Sequence, residues 1–150
     1  MVLSLGDKIP LENLYQTKIL EFARDARKFQ LLSNYDVRFV SKNPLCGDEV
    51  TIDLEVSKDK IITNYGHQVK GCALCEASAG LLSKNIFGFE IYNSDKLKEN
   101  LTSWLSGETQ NFTFPEIENF SPVKNIKNRH KCVLLSFDAL SGACLKFKRD

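Results

Sequence analysis

The chain has 150 residues, 43% hydrophobic and 26% charged, a balance that suits one domain around one core. A formal net charge of +1 supplies no broad basic field for nucleic acid, and no run approaches the roughly 20 apolar residues that span a bilayer. Met1 to Lys8 shows no basic stretch leading into a long apolar run, so the expectation is a cytoplasmic protein without a secretory signal, whose 5 cysteines serve metal or catalysis rather than disulfides.

In chain order, Leu11 to Leu32 sets Leu14, Ile19, Phe22, Ala23, Ala26 and Phe29 at helical spacing with charges between them, which predicts one amphipathic helix. Val37 to Val40 reads as a short strand, ended by the turn residues Lys42-Asn43-Pro44. Val50, Ile52, Leu54 and Val56 alternate with Thr51, Asp53 and Glu55, the period of a half-buried strand. Ser57 to Lys60 forms a hairpin turn, and Ile61 to Val69 returns, so the strands make an antiparallel meander. From Ala73 small residues lead into Leu81, Leu82 and Ile86 as a helix. A second helix spans Ser94 to Leu105 on Leu97, Leu101 and Leu105. Gln110 to Asn128, with Pro115 and Pro122, is the least regular piece and reads as a mobile or functional loop. A last helix opens near Arg129–Cys132 and carries Val133, Leu134, Phe137, Leu140 and Leu145. The fold class is α+β, with strands first and helices after.

Three cysteines fall where these elements should meet. Cys46 lies in the turn Asn43 to Asp48, Cys72 follows Gly71 and opens a helix, and Cys132 sits in the first turn of the last one. Helix N-termini favour thiolate over thiol, and Arg129 and Lys131 beside Cys132 add to that. With Asp48, the three supply three sulfurs and one oxygen to a tetrahedral ion. Such an incomplete sulfur shell suits a transient site better than a closed structural zinc. Gly47 would let the backbone approach the ion, and Gly71 a tight strand-to-helix turn. Spacing alone leaves the alternative open that each Cys is a small buried apolar residue. Cys72 and Cys75 match C-x-x-C, but a meander lacks the parallel β-α-β unit of a thiol–disulfide enzyme. Cys75 fits a packed helix residue better than a reserve thiol, and Cys144 reads as incidental. His67 reads as a partly buried sheet residue. His130 is balanced between orienting a ligand and facing solvent.

Asn43-Pro44-x-Cys46-Gly47-Asp48, Gly71-Cys72-x-x-x-x-Ala77-Ser78 and Lys131-Cys132-x-x-Leu135 follow the order of the motifs of the U-type iron–sulfur cluster assembly scaffolds, which comprise IscU, the N-terminal domain of NifU, and SufU. The chain resembles this family from about Leu14 to Leu140, and looks closest to a divergent SufU-like branch. Lys131 stands where IscU-type members carry His, with His130 one place earlier, and the IscU motif that recruits a co-chaperone has no clear match. The resemblance implies a three-stranded antiparallel sheet packed on helices, with Cys46, Asp48, Cys72 and Cys132 as ligands of a transient [2Fe–2S] cluster or Zn2+. It implies a scaffold that takes sulfur from a cysteine desulfurase and hands clusters to apo iron–sulfur proteins. The alternative is a zinc-bound sulfur acceptor, with Cys132 as the acceptor. Neither nucleic acid nor membrane is an expected partner.

Overall fold

The computed structural model describes residues 11–149, and of residues 11–14 only the backbone, so the side chain of Leu14 lies outside the described residues. Helix α1 (Leu11–Ala26) precedes strands β1 (Val37–Asn43), β2 (Asp48–Val56) and β3 (Ile62–Lys70). Helices α2 (Ala73–Asn85), α3 (Ile91–Ser94), α4 (Leu97–Leu105) and α5 (His130–Arg149) follow, with 3-10 turns over Pro115–Asn125 and Lys127–Arg129. The sheet is an antiparallel meander in the order β1-β2-β3. The α+β expectation, strands first and helices after, therefore holds.

Small residues set how closely the layers approach. A Cβ at Gly80 would come within 2.0 Å of the Phe22 carbonyl oxygen, so α1 and α2 touch backbone to backbone. A Cβ at Gly142 would meet the Phe39 ring at 2.2 Å, which lays α5 tightly on β1. Trp104, Phe120 and Phe137 are buried among Ile52, Leu54, Leu81 and Leu140. Burying each such large side chain stabilises the fold by about 1.5–3 kcal/mol.

The strand predicted over Val37–Val40 runs on to Asn43, the helix predicted over Ser94–Leu105 begins at Leu97, and three further elements differ. The first helix ends at Ala26, not Leu32, because its last carbonyl accepts from His67 Nε2 at 2.7 Å and the chain turns away. Residues 30–32 then cross the cross-strand row Arg38–Asp53–Gly66, where a Cβ on Gly66 would lie 2.3 Å from the Gln30 oxygen. That crossing covers Asp53, and with Thr51 also buried beside Val50, Ile52 and Leu54, β2 is not half-buried. The stretch from Gln110 is no open loop either. Pro115 starts a 3-10 run that buries Ile117, Phe120 and Val123, and Pro122 lies within it.

Candidate metal centre

The three strand and helix junctions named by the cysteines converge. Asn43 and Asp48 are the last paired residues of the β1–β2 hairpin, and Pro44 to Gly47 form its loop. The Asn43 carbonyl accepts from the Gly47 amide at 2.8 Å and its side-chain oxygen from the Leu45 amide at 3.1 Å. Gly47 takes φ +77°, a left-handed conformation that favours glycine, so its role is to close the loop. Cys46 is thereby exposed at the rim, while Asp48 points inward and is buried.

Cys72 stands at the N-cap position of α2 with extended backbone, and its thiol caps nothing in the helix. Instead it donates to Asp48 Oδ2 at 3.7 Å. Gly71 is needed here for space and not for its dihedral angles: a Cβ would lie 2.8 Å from Asp48 Cγ and push the carboxylate aside. Cys132 is buried in the first turn of α5. The Ser78 hydroxyl donates to the Val133 carbonyl and ties α2 to that turn.

The ligand atoms of Cys46, Asp48 and Cys132 lie within 4.8 Å of one another. Cys72 joins them through Asp48, and its thiol is near enough to Cys132 to raise that residue's pKa. Donors on one tetrahedral zinc or iron stand about 3.5–4 Å apart, a spacing that Cys46, Asp48 and Cys132 approach. Three soft sulfurs with one hard oxygen suit zinc or iron over calcium or magnesium.

Electrostatics corrects one expectation. Burial, then the neighbouring Cys72, hold the Cys132 thiol above its ordinary range, and a hydrogen bond from Arg129 only partly opposes them. Without a cation, then, neither the helix end nor Arg129 makes Cys132 a thiolate; Lys131 is exposed and acts less directly. Cys75 is fully buried, and burial, reinforced by Asp48, Cys72, Cys132 and Cys46, raises its pKa strongly. It packs in the core behind the site, as expected. Cys144 is buried away from the group, and burial pushes its thiol up to about 12.

Neither histidine joins the donors. His67 is buried; its Nε2 donates to the Ala26 carbonyl, so Nδ1 accepts from the Tyr65 hydroxyl at 2.6 Å. His130 Nε2 donates to the Val123 and Lys124 carbonyls, each at 3.1 Å, and stitches the 3-10 run to the start of α5. Its ring is thus half-buried and held by the protein, and does not simply face water. Two features left no mark in the sequence. One is the dependence of Asp48 on an empty Gly71 Cβ position, and the other is the exposure of Leu45 (80%) beside Cys46.

The profile of the family described as "NifU-like N terminal domain" matches residues 14–149. The iron-sulfur cluster assembly scaffold protein IscU of Thermotoga maritima is 30% identical over 139 residues, covering 91% of this chain and 96% of that protein. The zinc-dependent sulfurtransferase SufU of Bacillus subtilis is 25% identical over 138 residues, 91% of this chain and 92% of SufU. The crystal structure of the N-terminal part of a nitrogen-fixing NifU-like protein from Brucella abortus superposes with a TM-score of 0.83 at 28% identity, over 93% of this chain and 97% of that one. Among the described residues, no helix is long and apolar enough to cross a membrane.

Proposed function

The chain belongs to the NifU-like N-terminal domain family of U-type iron–sulfur assembly proteins, and on that premise we propose that it is an assembly scaffold on which iron and sulfide are joined before transfer to apo-proteins. The observation that carries this reading is the convergence of Cys46, Asp48 and Cys132 within 4.8 Å, with Cys72 against Asp48 and Cys132. Cys46 is exposed and Cys72 half-buried, while Asp48 and Cys132 are buried, so the group is open on one side. An iron–sulfur unit held there is reachable by both donor and acceptor proteins. The oxygen ligand weakens the sulfur shell and favours release.

Sulfur would arrive as a persulfide from a cysteine desulfurase. The Cys132 thiolate attacks the outer sulfur of the donor's R–S–SH, the S–S bond breaks, and the donor leaves as R–S⁻ while Cys132 carries S–SH. No net oxidation occurs in this transfer, and an external thiol or other two-electron reductant would then convert the persulfide sulfur to sulfide. Burial keeps Cys132 a thiol in the metal-free chain, so the proton must leave before attack; Arg129 and the helix N-terminus only partly offset that cost.

A second reading is favoured by the likeness to a zinc-dependent sulfurtransferase: a zinc-bound sulfur acceptor for the desulfurase. Cys46, Asp48, Cys72 and Cys132 would hold the ion, and zinc when bound would keep the thiols deprotonated at neutral pH. Cys132 remains the residue we assign to sulfur acceptance.

Iron, zinc and acid-labile sulfide content of protein purified anaerobically separates the readings. Iron and sulfide in equal amounts with a visible absorption band supports the scaffold. Zinc near one per chain without sulfide supports the acceptor. Cys46→Ser, Cys72→Ser and Cys132→Ser variants that all retain a reconstituted cluster would end the scaffold reading.

A further inference from the structure

Cys72 stands at the N-cap of α2 and Cys132 in the first turn of α5, so the spacing of their thiols depends on how the two helices lie against each other. That contact is mostly apolar. Ala77, Leu81 and Leu82 of α2 and Val133, Phe137 and Leu140 of α5 are buried in one core. Apolar packing is non-directional, and by itself it leaves one helix free to slide slightly along the other. One polar group breaks the pattern. The Ser78 side chain is fully buried between Ala77 and Ala79, and its hydroxyl donates to the carbonyl of Val133, the residue after Cys132 and 55 positions away in the chain. Among the described residues, this is the one hydrogen bond that joins α2 to α5.

Burying a hydroxyl costs about what its hydrogen bond returns, so Ser78 adds little stability over the alanines on either side of it. What it adds is direction. The Val133 carbonyl has two lone pairs, so it can accept from Ser78 as well as within its own helix. Gly80, two residues on and therefore on the opposite side of α2, lies backbone to backbone against Phe22 of α1. With α2 anchored there, the Ser78 bond places the first turn of α5 relative to it. Ser83 offers the contrast: it is equally buried on the same helix, but its hydroxyl donates to the Gly80 carbonyl and never leaves α2.

We propose that Ser78 is a positioning residue of the metal centre: by holding the Val133 carbonyl, its hydroxyl sets the spacing of the Cys72 and Cys132 thiols that metal ligation requires. The proposal rests on the metal centre argued above and adds to it a residue that touches no ion. Donors already held at the right separation give up less freedom on binding, so affinity rises without a further ligand.

The test compares wild type, Ser78→Ala and Ser83→Ala as full chains, measuring zinc affinity by chelator competition and the absorption spectrum after loading with Co2+. Thiolate-to-cobalt charge-transfer bands count the bound sulfurs and ligand-field bands report tetrahedral geometry, neither of which a general loss of stability would change. Alanine suits a helix interior and already stands at 77 and 79, so both variants should fold, with similar small falls in metal-free melting temperature. Ser78→Ala should lose about tenfold or more in zinc affinity, the range for groups that orient metal ligands, and show weaker charge-transfer bands. Ser83→Ala should stay within about twofold of wild type with an unchanged spectrum. Zinc affinity of Ser78→Ala within about twofold of wild type, or an equal loss in Ser83→Ala, overturns the positioning role while leaving the metal centre standing. A wild-type chain that binds neither zinc nor cobalt removes the metal centre itself and the proposal with it.

Discussion

Strand β2 carries two buried aspartates five positions apart, and their surroundings are opposite. Asp53 is fully enclosed and accepts from Arg38 Nε at 2.6 Å, Arg38 Nη2 at 2.8 Å and the Leu32 amide at 2.9 Å. Asp48 accepts from one thiol at 3.7 Å and faces two further sulfurs. A buried carboxylate with a full complement of donors belongs to the frame, because each lone pair lost to water has been replaced. A buried carboxylate set among thiols is missing its counter-charge, and a cation bound there would supply it. The difference separates Asp48, the candidate ligand, from Asp53 where burial and residue type do not, since the two share both.

Removing each carboxylate should separate these roles. Asp53→Ala leaves the Arg38 guanidinium and the Leu32 amide without their acceptor, and we expect a loss of about 3–5 kcal/mol in urea denaturation. Asp48→Ala should change the metal-free protein by less than about 1 kcal/mol, since it makes no strong bond, yet abolish metal retention. If Asp48→Ala destabilised the metal-free chain as much as Asp53→Ala, the distinction would collapse.

Glycines repeat the contrast at a smaller scale. In Gly66→Ala the new methyl meets the Gln30 backbone oxygen at 2.3 Å, and backbone cannot step aside, so about 3 kcal/mol should be lost. In Gly71→Ala the methyl meets the Asp48 side chain at 2.8 Å, which can rotate away. Stability should fall by about 1 kcal/mol or less, with metal content falling much further. Equal effects of the two substitutions on both readouts would deny Gly71 a specific role at the site.

Most of this arrangement was legible in the sequence where a local rule governs it. The alternation of Val50, Ile52 and Leu54 predicted β2, and the order of three cysteine motifs predicted which junctions meet. What escaped was set by tertiary contact. Asp53 read as part of a solvent face, but residues 30–32 fold over it, and nothing in residues 27–32 announces that path. The helix end at Ala26 depends on His67, 41 positions away. The thiol of Cys132 looked activated from its basic neighbours, whereas burial outweighs Arg129, a balance that composition cannot disclose.

The frame should also respond to acid where the metal-free site does not set stability. Burial holds the His67 pKa below 6.5, with the hydrogen bond to Ala26 partly opposing it. As pH falls through 6.5 the unfolded chain takes a proton that the folded chain refuses, so the unfolded state gains. The contribution of His67 is thus complete above about pH 6.5 and lost below it, by about 1.4 kcal/mol for each unit by which its pKa is depressed. His67→Gln should be less stable at neutral pH and flatter between pH 6.5 and 5 in melting temperature. An unchanged slope would assign the acid sensitivity to other groups.

The smallest expected effect draws the line between frame and site through a single helix turn. Cys72 is half-buried and faces Asp48, whereas Cys75 is fully buried, yet both belong to one C-x-x-C. Cys75→Ala removes one sulfur from a packed core, which should cost about 1 kcal/mol and leave metal content at the wild-type level. Cys72→Ala should do the reverse, with little change in metal-free stability and loss of the metal. Sequence gives the two thiols equal standing, but the strand-to-helix turn aims one at the donors and the other into the α1–α2 core. If Cys75→Ala released the metal, then Cys75 would act as a ligand or as a direct support of one, and the boundary between frame and site would have to move one helical turn into α2.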